Sequence, residues 1–199
     1  MRILLCIVFS LGLTVPTIAK SYEISPYATL EEVGNRLFSR IANNQHEIKK
    51  FPEIMRDIIN EELMPSIDHR YAAYKILGKH LKQTSKDQRV QFTESVRDYL
   101  AQTYASVLVN YSNQQVIFET AKPTDGKKIV AIKSRIVEMN KPDINVTFKM
   151  RLNKKTGEWK VFDLIVEGIS LLSSKKSEIS KRISKHGVEQ VSLELAYVN

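Results

Sequence analysis

The hydrophobic period of this chain changes once, near residue 113, and that change constrains the fold more than any other feature. Before it, apolar residues recur every three to four positions, which is typical of amphipathic helices. After it, apolar and polar residues alternate, which is typical of half-buried strands. A run of helices followed by a run of strands predicts an α+β fold with a helical layer on one sheet.

Capping patterns and prolines divide the first half into helices. Thr29-Leu-Glu-Glu32 is a capping-box pattern and predicts a helix that opens at Thr29. A second helix is predicted to start at Pro52 and to stop at Pro65. A third, shorter helix is predicted to run to Leu77, with Gly78 as its stop.

A second capping box, Ser85-Lys-Asp-Gln88, predicts the start of the longest helix. Its apolar stripe is expected to contain Phe92, Val96, Leu100, Tyr104, Val107 and Tyr111. This helix should lie against the sheet along most of its length.

The second half predicts a meander of strands. The predicted strands are Gln115–Glu119, Ile129–Glu138, Asn145–Leu152 and one that follows from Glu158. Turn-forming segments of hairpin length separate them, so neighbouring strands should be antiparallel. We therefore expect a curved antiparallel sheet of about four strands under a helical layer, cone-like, with an apolar cavity between the layers.

The segment Trp159–Leu172 is apolar on both faces of the predicted last strand, so alternation does not decide which face points inward. A final helix is predicted from about Ser174 to Gly187. Its inner face carries Ile179 and Ile183. Its outer face carries five basic residues: Lys175, Lys176, Lys181, Arg182 and Lys185. These residues are expected either to dock an acidic or anionic partner surface or to form a solvated helix face.

The N-terminal residues 1–19 have the form of a secretory signal peptide. Arg2 precedes an apolar run from Ile3 to Val15, and cleavage is predicted after Ala19. The run is short for a membrane anchor. A single domain is then expected over residues 20–199. Because the one cysteine, Cys6, lies in the leader, the mature domain has no disulfide, which is compatible with a bacterial periplasm.

The formal net charge is +8. A basic exported protein could meet nucleic acid, anionic lipid or acidic partners. Single-strand binders interleave aromatic residues with their basic residues, and this chain lacks that pattern. We therefore expect no nucleic acid partner, and an acidic partner or an anionic membrane surface fits better.

The sequence offers little catalytic chemistry. It contains no HExxH, Gly-rich phosphate loop or GxSxG pattern, so we expect no enzyme activity, no cofactor and no metal site. His46, His80 and His186 are expected at the solvated surface, and Asp68 is expected to cap a helix. Two alternatives stay open: an α+β enzyme that uses Asp163 or His69 in a cavity, and a chaperone-like binder of apolar segments.

Five segments spread over the chain match one pattern in order. They are Ser25-Pro26-Tyr27, Phe51–Pro65, Tyr71–Lys79, Gln88–Tyr104 and Trp159–Leu172. Together they resemble the MlaC, or toluene-tolerance, family of periplasmic phospholipid-binding proteins. The resemblance implies a monomeric carrier that shuttles phospholipid between an inner-membrane lipid-transporter complex and an outer-membrane lipoprotein–porin complex, and so maintains the lipid asymmetry of the outer membrane.

The inward faces of the predicted elements and the fold that the resemblance implies suggest a set of lipid-contacting residues. The predicted pocket lining is Leu63, Ile67, Tyr71, Tyr74, Tyr104, Leu108, Val146, Phe148, Met150, Leu164, Val166 and Ile169. A cavity for two acyl chains should approach the upper end of typical ligand sites, about 1,000 Å³.

Overall fold

The computed structural model describes residues 25–111 and 114–197 of the 199-residue chain. The predicted signal peptide, residues 1–19, lies outside the described residues. In the described part, no helix combines the length and the apolar character needed to span a membrane.

Six α-helices occur in the described residues, five before the sheet and one after it. They are α1 (Pro26–Asn43), α2 (Gln45–Lys50), α3 (Ile54–Ile58), α4 (His69–Leu77), α5 (Lys86–Leu108) and α6 (Leu171–Ala196). A π-helical turn (Ile59–Leu63) and a 3₁₀ turn (Met64–Ser66) extend α3, and a 3₁₀ segment (Gly78–Gln83) follows α4.

The first helix begins earlier than its capping-box pattern predicts. Ser25, not Thr29, is the N-cap, and its hydroxyl accepts a hydrogen bond from the Tyr27 backbone N–H at 3.3 Å. Pro26 occupies the first helical turn, where its missing N–H costs nothing. Thr29 instead donates its hydroxyl to the Ser25 carbonyl. The capping box of Ser85 and Gln88 that opens α5 is confirmed, with both reciprocal bonds present.

Five strands form one open antiparallel sheet in sequence order. They are β1 (Gln115–Phe118), β2 (Ile129–Val137), β3 (Ile144–Leu152), β4 (Trp159–Val166) and β5 (Ile169–Ser170). The α+β class and the meander are confirmed. The fifth strand was not predicted because two residues are too few to show alternation.

Strand register defines one inner face of the sheet. On β3 the predicted alternation is confirmed, with Val146 and Met150 buried. Met150 lies between Val130 of β2 and Val161 of β4. On β2, buried residues alternate with exposed ones from Ile129 onward, so its inner face is also apolar.

A β-bulge in β4 explains why both of its faces are apolar. Lys149 pairs with Asp163 and Met150 pairs with Val161, so Phe162 is the extra residue. Trp159 and Val161 before the bulge share the inner face with Leu164 and Val166 after it, because these four pair with inner-face residues of β3.

Two apolar clusters hold the layers together. The larger one joins the inner face of the sheet to α1, α3 and the C-terminal part of α5. The smaller one joins α4, α6 and the N-terminal part of α5, around Phe92 and Val96. Val107 was expected on the apolar stripe of α5 but is 67% exposed. Ala101 and Ala105 occupy the buried positions there, because α5 changes neighbours along its length.

The last helix is broken at Gly187, where φ is 79° and ψ is 163°. The predicted stop is therefore present, but helical structure resumes and continues to Ala196. Val191 and Leu195 of this second part are buried in the smaller cluster. The resumption was not predicted.

Candidate functional site

The space between the inner face of the sheet and the helices is apolar along its whole length, but it is not equally covered. Met150, Trp159 and Val161 are at most 5% exposed and form a closed end. That end is sealed where the Asp68 backbone N–H donates to the Val161 carbonyl at 2.7 Å. Toward the other end, Phe148, Leu164 and Val166 are only partly buried, although Val146 beside them is 6% exposed.

A depression of about 440 Å³ lies at this open end, between the β2–β3 hairpin and the β4–β5 turn. Its lining is Ile136, Glu138, Lys141, Pro142, Asp143, Ile144 and Glu167. Three of its four charged residues are in ion pairs: Lys141 pairs with Glu138 at 2.6 Å, and Asp143 pairs with Arg135 at 2.8 Å. The fourth, Glu167, accepts the Asn145 backbone N–H. The open end therefore has an apolar floor and a rim with a small negative charge.

Nine of the twelve predicted lining residues belong to this interior. Leu63, Ile67, Tyr104, Leu108, Phe148, Met150 and Leu164 lie in or against the larger apolar cluster. Val146 and Val166 pair with each other on the inner face of the sheet. The face of β4 that the sequence left undecided is thus assigned by register.

The expected inward orientation is wrong for the other three. The Tyr71 ring lies 4.4 Å from the guanidinium of Arg151 and 5.1 Å from the Phe162 ring, on the outer face. Tyr74 packs in the smaller cluster, and Ile169 is 62% exposed. Their spacing identified a helix and a turn, but not the neighbour against which each would pack.

Two aromatic contacts at the open end were missed. Phe118 of β1 lies 6.0 Å from the Phe148 ring, and Phe38 of α1 stacks on Tyr111 at 4.7 Å. Phe118 belongs to a four-residue strand, and Phe38 stands next to the buried Leu37 on α1, so neither gave a clear periodic signal.

Few polar groups enter the interior. The Ser134 hydroxyl donates to the Val146 carbonyl at 3.2 Å. The indole N–H of Trp159 is buried and has no hydrogen-bond partner in the described part of the chain. Burial, with the nearby negative charge of Asp163, raises the pKa of Tyr104 to about 12, so this phenol stays neutral at physiological pH. The interior suits apolar chains better than it suits a polar substrate.

The two residues considered for catalysis have different environments: Asp163 is hydrogen-bonded at a helix start, whereas His69 Nδ1 is buried without a hydrogen-bond partner in the described part of the chain. One Asp163 carboxylate oxygen accepts the Leu172 backbone N–H at 3.0 Å, and the other accepts the Ser170 hydroxyl at 2.8 Å. Asp163 therefore caps the start of α6. For His69, burial lowers the pKa and favours a neutral ring.

Of the other four polar residues with a predicted environment, three agree with the structure and one does not. Asp68 caps α4 as expected, accepting the Tyr71 backbone N–H at 3.0 Å, and it also binds Arg151 at 2.7 Å. His46 and His186 are exposed as expected. His80 is not: it is 8% exposed, and its Nε2 lies 3.0 Å from the Ser180 hydroxyl oxygen.

The basic residues of α6 divide into two groups. Lys175 pairs with Glu178 at 2.8 Å and lies over the Tyr99 ring, and Arg182 pairs with Glu178 and Glu194. Lys176, Lys181 and Lys185 are exposed and have no carboxylate partner within the described ranges. These three are the members of the predicted docking set that remain free to meet a partner.

Comparison with known proteins agrees with this geometry. The profile of the family described as MlaC protein matches residues 31–197. The intermembrane phospholipid transport system binding protein MlaC of Haemophilus influenzae is 34% identical over 168 residues, which cover 84% of this chain and 78% of that protein. The toluene tolerance protein ttg2D of Pseudomonas putida is 24% identical over 164 residues, covering 82% of this chain and 75% of that protein.

A solved structure shares the fold. The phospholipid-binding protein from Ralstonia solanacearum, solved in complex with a phospholipid, superposes with a TM-score of 0.74 at 19% identity, over 87% of this chain and 99% of that one. The family match spans most of the sequence and nearly all of both clusters. The chain belongs to the MlaC family.

Proposed function

We propose that this protein is a phospholipid carrier that holds acyl chains between the inner face of its sheet and the helices α1, α3 and α5. The observation that carries the proposal is a partly exposed apolar patch on that face: Phe148, Leu164 and Val166 are partly buried, whereas Met150 and Trp159 beside them are fully covered. A fully packed core would cover all of these side chains. The relatives named as phospholipid-binding proteins support the same conclusion.

The energetics of the cargo explain why such a face is needed. A phospholipid with about 30 acyl methylenes would expose them at a cost of about 24 kcal/mol, at roughly 0.8 kcal/mol per methylene. A carrier that crosses water must therefore cover both tails. Because the tails come from an equally apolar bilayer, transfer into a dry protein interior can be close to neutral, and this allows release as well as uptake.

Loading requires the interior to widen. The depression at the open end has a volume of about 440 Å³, about half of the upper range for ligand sites, about 1,000 Å³. The strand register places the partly buried side chains of Phe118 and Phe148 between this depression and the closed end. We infer that the tails displace these side chains, and that the headgroup stays at the rim.

The carrier would act in the periplasm after cleavage behind Ala19, as a monomer of residues 20–199. It would receive and deliver phospholipid at an inner-membrane lipid-transporter complex and an outer-membrane lipoprotein–porin complex, and so maintain outer-membrane asymmetry. Lys176, Lys181 and Lys185 are exposed and are the residues best placed on α6 to meet acidic surfaces of such partners.

The cargo can be tested by mass spectrometry of an organic extract of the purified protein. We expect phospholipid to co-purify from a bacterial host. Phe148→Asp places a charge on the partly exposed inner face and should remove most of it. Thr147→Asp is the matched control, because the neighbouring position faces the other side of the sheet. Absence of lipid from the wild type, or equal loss in both variants, would contradict the proposal.

The docking role of α6 needs a separate assay. Lys176, Lys181 and Lys185 would be changed together to Glu, and lipid transfer would be measured between donor and acceptor complexes. We expect a slower transfer whose salt dependence is weakened. Lys49, Lys50 and Lys133, exposed on α2 and β2, supply a control with the same change of charge when changed to Glu. An unchanged rate and salt dependence would remove the docking role.

A further inference from the structure

A cluster of lysines lies at the end of the sheet opposite the open end. Two loops meet there: the turn that leads into β2, ending in Lys127 and Lys128, and the β3–β4 hairpin, which carries Lys154 and Lys155. The Leu152 backbone N–H donates to the Lys128 carbonyl at 2.9 Å, so the two loops are neighbours. We call these four lysines the basic end.

The backbone of both loops is fixed by hydrogen bonds. The Lys127 N–H donates to the Thr124 carbonyl at 2.9 Å, and the Gly157 N–H donates to the Asn153 carbonyl at 2.8 Å. The Asn153 side chain also accepts the Lys155 N–H at 3.0 Å. The four side chains therefore project from defined turns and not from loose chain.

The charge of the basic end is not neutralised locally. All four lysines are exposed, and none has a carboxylate partner among the residues that the structure describes. Of the nearby acids, Glu119 pairs with Lys122, and Glu158 is shared between Thr156 and Lys160. Asp125 is the remaining acid in these turns, which leaves a local excess of about three positive charges.

Two of the lysines lie close enough for their charges to interact. The like charge of Lys128 lowers the pKa of Lys154. An anion bound between the two loops would relieve this repulsion.

We propose that the basic end, Lys127, Lys128, Lys154 and Lys155, is a contact surface for the anionic headgroups of a phospholipid bilayer. The chemistry of its residues favours a bilayer over an acidic protein. Protein interfaces are depleted in lysine and depend on aromatic, methionine or arginine anchors, and the turns 124–128 and 153–158 contain none of these. Attraction to anionic headgroups needs only point charges close to the surface.

The position of the basic end adds a functional consequence. β2 has nine residues, so it separates the basic end from the β2–β3 hairpin by about 30 Å, at roughly 3.3 Å per residue. A protein held by its basic end would leave the open end uncovered and directed away from that bilayer. Membrane contact here would concentrate the protein at the surface without blocking the site. This inference does not depend on what the interior binds.

Vesicle sedimentation tests the contact. Binding would be measured to phosphatidylcholine vesicles and to matched vesicles that also contain phosphatidylglycerol, at low and high salt. We expect binding only to the anionic vesicles, with loss at high salt. The variant with Lys127, Lys128, Lys154 and Lys155 changed to Gln should lose at least about tenfold in partitioning, since each lysine near such a surface contributes up to about fivefold.

A matched variant separates a local patch from net charge. Lys49, Lys50, Lys79 and Lys82 are exposed elsewhere, and changing these four to Gln removes the same charge. We expect this control to stay within about threefold of the wild type. Equal losses in both variants, or no loss in the first, would overturn the proposal. Binding of the wild type to immobilised polyglutamate but not to anionic vesicles would overturn it in favour of an acidic protein. Circular dichroism and thermal melts check that each variant is folded.

Site-specific labels test the orientation. The chain from residue 20 onward has no cysteine, so a single cysteine accepts an environment-sensitive fluorophore. Thr156→Cys places the label in the basic end, and Met139→Cys places it in the exposed hairpin at the open end. The label at position 156 should respond to anionic vesicles, and the label at position 139 should not. The reverse pattern would overturn the proposed orientation.

Discussion

The hydrogen bonds of Asp163 predict that this residue contributes to stability and not to a reaction. Its side chain is 7% exposed, and its two oxygens accept the Leu172 backbone N–H and the Ser170 hydroxyl. Since the first turn of α6 contains no acidic residue, Asp163 also supplies the negative charge that favours a helix N-terminus. Removing it should therefore loosen the junction between β4 and α6.

The size of the effect follows from these contacts. A hydrogen bond to a charged group contributes about 1.5–3 kcal/mol. Asp163→Asn keeps one neutral acceptor and should cost about 2 kcal/mol, while Asp163→Ala should cost about 3–4 kcal/mol because it also strands the Leu172 N–H. For a domain of this size, a loss of 2 kcal/mol lowers the Tm by roughly 4–8 °C.

Urea denaturation of the purified variants measures this cost, and Asp125→Ala is the control, because Asp125 is exposed in a loop. The control should stay within about 0.5 kcal/mol of the wild type. A double-mutant cycle with Ser170→Ala should give a coupling energy of about 1 kcal/mol. Wild-type stability in Asp163→Asn, or loss of bound lipid without loss of stability, would refute the structural role.

Three further predictions concern other parts of the molecule. Arg151→Ala removes an ion pair to Asp68 and the contact with the Tyr71 ring, and should lower the free energy of unfolding in urea by about 1–2 kcal/mol. Arg151→Lys should restore less than half of that loss, because the lysine ammonium cannot stack on the ring as a planar group. Burial raises the pKa of Tyr104 to about 12, so this tyrosine deprotonates at a lower pH in the unfolded chain than in the folded protein. The free energy of unfolding should therefore fall between about pH 10 and pH 12. Tyr104→Phe should make that fall smaller, whereas Tyr197→Phe, at an exposed site, should not. Gly187→Ala forces alanine into a backbone conformation that favours glycine and should lower the free energy of unfolding by about 1–3 kcal/mol. Gly34→Ala is the control: the nearest atom to its added methyl group lies at 3.9 Å, so it should be neutral or stabilising by up to about 1 kcal/mol. Equal effects of the two substitutions would contradict the strain at Gly187.

Much of the architecture could be predicted because its elements are long enough to show a period. The strand predicted at Ile129–Glu138 is observed at Ile129–Val137, and the one at Asn145–Leu152 at Ile144–Leu152. The elements that were missed are short or follow a break: α2, β5 and the helical segment beyond Gly187. A six-residue helix or a two-residue strand carries too few positions to show periodicity.

The site was predicted less completely than the fold, for a physical reason. Periodicity identifies the apolar face of an element but not the element that it meets. Tyr71 has the spacing of a buried helix residue, and it is covered by Arg151 and Phe162 on the outer side of the sheet. Val107 has the spacing of the apolar stripe but is exposed, whereas Ala101 and Ala105, whose small side chains give a weak hydrophobic signal, are buried.

The extra residue in β4 has a consequence for how this protein can vary. Phe162 shifts the phase of the strand by one position, so the residues before it and those after it meet the interior through separate stretches of backbone. Substitutions at Leu164 and Val166 can widen or narrow the entrance while Trp159 and Val161 keep the opposite end shut. Deleting Phe162 would remove the bulge and would leave Trp159, Val161, Leu164 and Val166 in one regular alternation on the inner face. Straightening the strand with Phe162 retained would instead turn Leu164 and Val166 out toward solvent. The inner face is therefore expected to survive loss of this residue better than loss of the bulge around it.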